Sequence, residues 1–317
     1  MSVIHGHAMM LDQFGNTLTL QPFHPNPAQP GEVCVRITAA GVNFADTLLV
    51  SGRYQRLPPL PFAPGMEFAG VVVDGDLPEG MRVAGFCGHG GFASHTTLPL
   101  TQCVPLPDAM PDDIAASFLI AYGSVHLALA RRARLAAGET LVVLGASGGT
   151  GLAAVDIGRA LGAKVIACST GAEKLARLGQ AHHIIDTAAG DLRAAILAHG
   201  GADVVFDPAG GDAFTAAFRA TKPEGRLIPF GFASGAIPEI KLNHLLVKNI
   251  EVIGVNWGNY PDFAPAALAS SLSDLMALYG AGSLQPPQPM QMPLTQANDA
   301  LDLLRNRAAP GRIVLIP

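Results

Sequence analysis

Charged residues are scarce in this chain. Asp, Glu, Lys and Arg make up 14% of its 317 residues and leave a formal net charge of −5. There is no basic stripe and no run of like charges, which argues against nucleic acid and anionic membrane as partners. No apolar run is long enough to cross a bilayer. The start, MSVIHGHAMMLDQFGN, lacks the charged region and apolar run of a secretory leader. Cysteine is sparse too. Cys34, Cys87, Cys103 and Cys168 lie far apart, and no pair has the spacing of a metal clip or a redox motif. Reduced thiols in a cytoplasmic protein are therefore expected, with disulfide pairing left open.

What the chain does have is apolar residues, 49% of the total, and a length that suits two domains. Its 36 glycines and 25 prolines fall between apolar runs, where turns belong. The first third reads as short strands: GEVCVRITAAGVN from Gly31, EFAGVVVDGD from Glu67, MRVAGF and GGFASHTTL. Such spacing predicts a barrel or sandwich. The stretch DDIAASFLIAYGSVHLALARRARL carries Asp at its start and Arg near its end, as a helix dipole favours. From Leu141 strands alternate with helices: TLVVLGA, AKVIACS, HHIID, ADVVFDPAG, GRLIPFGF and IEVIGVNW are the strands. That alternation predicts a doubly wound parallel sheet, so the fold class is α/β.

The first of these strands runs into GASGGTG, and a helix-like stretch follows. A dinucleotide turn needs glycine so that the backbone can bend tightly and its N–H groups can approach a pyrophosphate. Gly148, Gly149 and Gly151 supply permissive positions, while Ala146 stands where the usual fingerprint has its first glycine. NAD sites end the second strand in Asp or Glu, which binds the ribose 2′-hydroxyl. This strand ends in Cys168, Ser169 and Thr170, with Lys174 shortly after. A carboxylate would repel a 2′-phosphate, whereas hydroxyls and a lysine would hold it. The reading is NADP(H).

Several stretches together resemble one family. AAGVNFADTLLVSGRYQRLPPLPFAPGMEFAGVV, FLIAYGSVHLAL, GASGGTG, DVVFDPAGGDAF, RLIPFGFASG, VKNIEVIGVNWGNY and NRAAPGRIVLIP follow in the order seen in zeta-crystallin-like NADPH:quinone oxidoreductases. These form the zinc-free branch of the medium-chain dehydrogenases/reductases. The resemblance implies a GroES-like β-barrel catalytic domain plus a doubly wound Rossmann domain, with the nicotinamide in a cleft between them. The implied division is residues 1–115 and 257–317 for the catalytic domain and 116–256 for the cofactor domain. It also implies a homodimer pairing the last Rossmann strand, IEVIGVNW.

Residue by residue, the resemblance places Asn43 beside the nicotinamide, and Tyr54 near nicotinamide and substrate. Ser124 stands where threonine is usual. It assigns Ala146, Ser147, Gly148, Gly149, Thr150 and Gly151 to the pyrophosphate turn. Ser169, Thr170, Lys174 and Arg307 fall on the 2′-phosphate side, together with Thr187 where the family often has tyrosine. Phe230, Gly231, Phe232, Ile253 and Val255 lie in segments near the nicotinamide, and Trp257 belongs either to the substrate pocket or to the core. The zinc dehydrogenases of the superfamily have cysteine where this chain has Asn43 and histidine where it has Met66. The third ligand has no counterpart, and Glu67 alone cannot make a tetrahedral site. No metal is expected, and His89 and His95 read as loop or barrel histidines.

Without a Lewis acid, hydride transfer is expected to go to an electron-poor π-system, a quinone or an α,β-unsaturated carbonyl. A proton would follow from Tyr54 or from water. Two alternatives stand beside this reading. One is an enoyl-thioester reductase of the acryloyl- or crotonyl-CoA type, for which Arg53 and Arg56 could begin a phosphate-binding groove. The other is a non-catalytic NADPH-binding protein.

Overall fold

The computed structural model describes residues 5–317. The chain divides into two compact units, one reaching Ile120 and including Pro286–Pro317, the other Ala121–Gln285. In the first, β1 (Gly6–Met10) and β2 (Thr19–Phe23) form an antiparallel pair. The long β3 (Glu32–Val42) leads into α1 (Phe44–Val50). Then come β4 (Glu67–Gly75), β5 (Arg82–Phe86), β6 (His95–Pro99), β7 (Cys103–Pro105) and α2 (Asp112–Ala116). β3 is antiparallel to β4 and β6. Val33, Val35, Ile37, Phe68, Val72, Val83 and Leu98 send side chains into one core. Each such burial contributes roughly 1.5–3 kcal/mol. The Phe68 ring fits because β5 offers Gly85 there: a Cβ on Gly85 would lie 2.3 Å from Phe68 Cζ.

The second unit begins inside the stretch that reads as one helix. It is helical but not uniform: two π-helical segments, Leu119–Gly123 and Leu127–Arg132, flank α3 (Ser124–His126). The elements that follow are β8 (Thr140–Val143), α4 (Gly149–Ala160), β9 (Lys164–Ser169), α5 (Ala172–Ala176) and β10 (His183–Asp186). They continue with α6 (Leu192–Ala198), β11 (Ala202–Asp207), α7 (Gly211–Ala220), β12 (Thr221–Pro229), α8 (Leu242–Lys248) and β13 (Glu251–Val252). The strand order is β10-β9-β8-β11-β12-β13, all parallel. This is the doubly wound order of a Rossmann sheet, and it reverses direction between β8 and β11, where ligands bind at the carboxyl ends of the strands. β8 is wholly buried, as a strand covered by helices on both faces must be.

The return to the first unit falls later than residue 257. The helices α9 (Tyr260–Phe263) and α10 (Pro265–Gly280) stay with the Rossmann sheet. His126 Nδ1 and Ser271 Oγ lie 2.8 Å apart, Leu268, Leu272 and Leu275 are buried, and the Gln285 N–H donates to Asp156 at 2.8 Å. Only then do β14 (Met290–Pro293), α11 (Ala297–Arg305) and β15 (Ile313–Ile316) complete the first sheet. There β15 pairs antiparallel with β3.

Candidate functional site

In the Rossmann unit the strand-to-helix bend is made one residue earlier than the fingerprint suggests. Gly145 takes the left-handed conformation, φ +57°. Ala146 is fully buried, and its N–H donates to the Cys168 carbonyl at 3.0 Å. Gly148 caps α4. Gly151 is the position that admits no side chain: its Cβ would lie 2.3 Å from the Gly145 carbonyl oxygen and 2.7 Å from Ala146 Cα. Gly149 by contrast faces open space. The turn thus leaves the first N–H groups of a twelve-residue helix uncovered at a switch point, which suits an anionic pyrophosphate.

The tip of β9 is joined to that turn. Ser147 Oγ and Ser169 Oγ are hydrogen-bonded at 2.8 Å, and Ser169 is buried. Next to them the Thr170 and Thr187 hydroxyls bond to each other. Lys174 is exposed on α5, whose Glu173 is paired with Arg177. One acid comes close through the sheet: Asp186 stands in register with Ser169. Its carboxylate accepts from the Ala188 N–H at 3.0 Å. Four residues assigned to cofactor binding are therefore brought together: Ser147, Ser169, Thr170 and Thr187. Arg307 belongs to the other unit, where it follows α11 with φ +54°.

The remaining assignments in this unit line the ends of β12 and β13. The Phe230 and Gly231 N–H groups both donate to the Asp207 carbonyl, and the Phe230 ring packs 4.7 Å from Phe206. Asp207 is fully buried; burial pushes its carboxyl up, against the Gly210 and Ala209 N–H groups it accepts from. Phe232 is exposed, Ile253 is buried and Val255 half-buried. Ser124 is buried, and its hydroxyl donates to the Ala121 carbonyl at 3.2 Å. Trp257 is buried against Gly123.

In the first unit Asn43 stands at the end of β3 as the cap of α1. Its backbone N–H donates to Asp46 Oδ2 at 2.8 Å, the carboxylate half of a capping box. Its side-chain Nδ2 donates to Glu67 Oε1 at 2.9 Å. Glu67 Oε2 accepts from the Ile120 N–H at 2.9 Å. Asp46 and Glu67 are 0% and 1% exposed. Burial pushes the Asp46 carboxyl up to about 7, with the Glu67 charge adding and the backbone N–H groups of Asn43, Gly65 and Met66 opposing. Burial also pushes Glu67 up to about 7, against its bonds to Ile120 and Asn43 and the charge of Arg312. The Cys87 thiol beside them is pushed up to about 12, by burial first and then by Asp46. Tyr54 is half-buried against the barrel core, and its hydroxyl is made less acidic by burial and by Asp46, with Arg56 opposing. Asp46 is a residue that sequence reasoning passed over. The Asn-x-x-Asp spacing ahead of an apolar run was the available signal.

The residues do not fit a catalytic zinc. Asn43 offers an amide, and Met66 is packed into the apolar core. Among the described residues no three His, Cys, Asp or Glu side chains are grouped to hold a metal ion. His89 stacks edge-on with Phe62, and His95 on β6 contacts Ser94 just before it; burial lowers the pKa of both.

A barrel that returns after a Rossmann sheet, with a glycine turn at the switch point, defines a medium-chain dehydrogenase/reductase. Residues 29–108 match the alcohol dehydrogenase GroES-like domain and residues 149–272 the zinc-binding dehydrogenase family. The chain belongs to the quinone oxidoreductase-like family of these oxidoreductases. It is 35% identical to quinone oxidoreductase-like protein 2 of Bos taurus, over 97% of this chain and 91% of that protein. It is 30% identical to the human synaptic vesicle membrane protein VAT-1 homolog, over 95% and 80%. Among solved structures it is similar to the quinone oxidoreductase of Thermus thermophilus, described with its NADPH complex. That match has a TM-score of 0.87 and 30% identity, over 98% of this chain and 100% of that one.

Proposed function

We propose that the chain is an NADPH-dependent reductase that delivers hydride to a quinone or an α,β-unsaturated carbonyl without a metal ion. The observation that carries this reading is the tip of β9. A buried hydroxyl, Ser169, occupies the place of the usual acid and is bonded to Ser147 of the glycine turn. That arrangement accepts a 2′-phosphate that a carboxylate would repel. The N–H groups of Ser147, Gly149 and Thr150 take the pyrophosphate, beside the Gly148 N–H that closes the turn on the Gly145 carbonyl, and Thr170, Lys174 and Thr187 take the 2′-phosphate side. The NADPH complex of the Thermus relative supports this choice of cofactor.

When bound, a reduced nicotinamide supplies the hydride. The chain's own part is orientation. Asn43 and Tyr54 orient the reacting groups, and Ser124 lies in the cofactor unit as a buried helix residue. Tyr54 holds its proton more tightly than an ordinary tyrosine, because burial and Asp46 both disfavour the phenolate. That favours water as the proton source. With amide and thioether in place of two zinc ligands, no Lewis acid polarises an alcohol, and an already electron-poor acceptor is required. Steady-state oxidation of NADPH with a panel of quinones and enones tests the reading. Its absence with every acceptor sinks it. Binding of NADPH without turnover points instead to a non-catalytic protein, and turnover confined to CoA esters to a thioester reductase.

We assign a second copy of this chain as partner, docked on the sheet edge. β13 is the outermost strand, Val252 on it is exposed, and Leu242 and Leu246 of α8 are 79% and 78% exposed. Sedimentation that gives a monomer for the wild type overturns this. The four thiols are unbonded, which fits the reducing cytoplasm.

A further inference from the structure

Glu67 is a buried carboxylate with no part in the chemistry above. Its burial is built in. Gly41 on β3 stands directly across from it in the sheet register. A Cβ on Gly41 would lie 2.3 Å from the Ala116 carbonyl oxygen, and 2.9 Å and 3.0 Å from Glu67 Cγ and Oε1. The bare glycine thus leaves room for both the α2 carbonyl and this side chain. Replacing a buried carboxylate by a well-packed apolar group is commonly neutral or stabilising, so packing alone gives no reason for Glu67.

Its two oxygens face two donors of different kinds. Oε2 accepts from the Ile120 backbone N–H, whose direction is fixed by the main chain. Oε1 accepts from Asn43 Nδ2, and an amide can turn over. Above about pH 7, where it is ionised, the carboxylate offers acceptors on both sides, so it selects one of the two amide orientations: Nδ2 toward Glu67 and Oδ1 off it. The reverse orientation would set two oxygens against each other. Asp46 holds the same residue by its backbone N–H, so Asn43 is fixed at main chain and side chain by two buried acids.

We propose that Glu67 is a positioning residue, which sets the amide orientation that Asn43 presents to the reacting groups. This rests on the reading that Asn43 lies at the reaction centre. Glu67→Gln is the diagnostic change. Glutamine has one acceptor and one NH2 group. The Ile120 N–H cannot turn, so the Gln oxygen goes to it and the NH2 faces Asn43. Asn43 must then flip to present Oδ1, and the ends of its amide are exchanged.

The experiment compares wild type, Glu67→Gln, Asn43→Ala and the double variant. At about pH 8.5, where Glu67 is ionised, it measures kcat at saturating NADPH with 1,4-naphthoquinone, NADPH Kd by nicotinamide fluorescence, and Tm. Glu67→Gln and Asn43→Ala are each expected to lower kcat by about tenfold, the scale of one hydrogen bond. The double variant should be no slower than Asn43→Ala alone, and NADPH Kd should hold within twofold. A Glu67→Gln enzyme with wild-type kcat overturns the proposal, as does a double variant whose losses multiply. Wild-type kcat in Asn43→Ala instead removes Asn43 from the reaction centre and both readings fall. If Glu67→Gln does not fold, Glu67→Asp, which withdraws the oxygens by one methylene, is put through the same cycle with the same criteria.

Discussion

Asp46 holds a proton in the folded chain that it loses on unfolding, and this can be counted. Its carboxyl is pushed up to about 7 by complete burial, whereas an unfolded aspartate titrates near 3.9. Between about pH 4 and pH 7 the folded state binds one more proton at this site than the unfolded state. Stability therefore falls as pH rises through that window, at about 1.4 kcal/mol per pH unit for each such group. The full span of roughly three units comes to about 4 kcal/mol, present below pH 4 and lost above pH 7. Glu67 adds a slope of the same sign between its unfolded value and about 7. Asp46→Asn removes one of the two.

Proton release on urea unfolding, measured at about pH 5.5 in weak buffer, reads the difference without assuming that two units unfold together. Wild type is expected to release about 0.9 proton more than Asp46→Asn. Asparagine keeps one acceptor for the two donors that Asp46 now serves, the N–H groups of Asn43 and Gly65. The variant is thus less stable at pH 5, and the gap closes by pH 8. Equal proton release from the two proteins refutes the argument: it would mean that the backbone N–H donors outweigh burial and that Asp46 is ionised in the fold.

Ser169→Asp removes the bond to Ser147 and sets a carboxylate in register beside Asp186. It should lower kcat/KM for NADPH relative to NADH by roughly ten- to a hundredfold, since like charges near a surface repel by a few kcal/mol at about 4 Å. Equal loss with both coenzymes contradicts the phosphate assignment. Gly151→Ala places a Cβ 2.3 Å from the Gly145 carbonyl oxygen. It should cost about 1–3 kcal/mol or more in thermal unfolding and abolish NADPH binding; Gly149→Ala, which meets open space, should leave Tm within a degree or two. A chelator at millimolar concentration should leave NADPH oxidation unchanged, and activity restored only by added zinc would reverse the metal-free reading.

The fold was legible because its signals are periodic. Six apolar runs spaced by helices point to a parallel sheet, since each run is buried on both faces and each helix carries the chain back to the same end of the sheet. The strand order β10-β9-β8-β11-β12-β13 is set by tertiary pairing that no one segment encodes. The site was legible only where local chain chemistry decides it. Ser147 and Ser169 were named from their positions in a motif, yet the bond between them spans 22 residues and depends on strand pairing. Asp186 was invisible for the same reason: it is brought beside Ser169 by a register that no single segment encodes. The return point is hard to read because the buried residues of α10 pack on the helical segment around Gly123 and His126, and apolarity does not say which of two cores they serve.

The same distinction explains Glu67. By itself it is a single acid in a PGMEFAG stretch, easily set aside once the zinc ligands are found missing. Its meaning comes from three long-range facts together: a glycine across the sheet that makes room for it, a backbone N–H that cannot turn, and an amide that can. In a site with no metal to fix the geometry, orientation must come from such fixed acceptors. A buried, ionised carboxylate is suited to that task because it draws Asn43 Nδ2 toward itself, where a neutral amide held by the Ile120 N–H would draw Oδ1 instead.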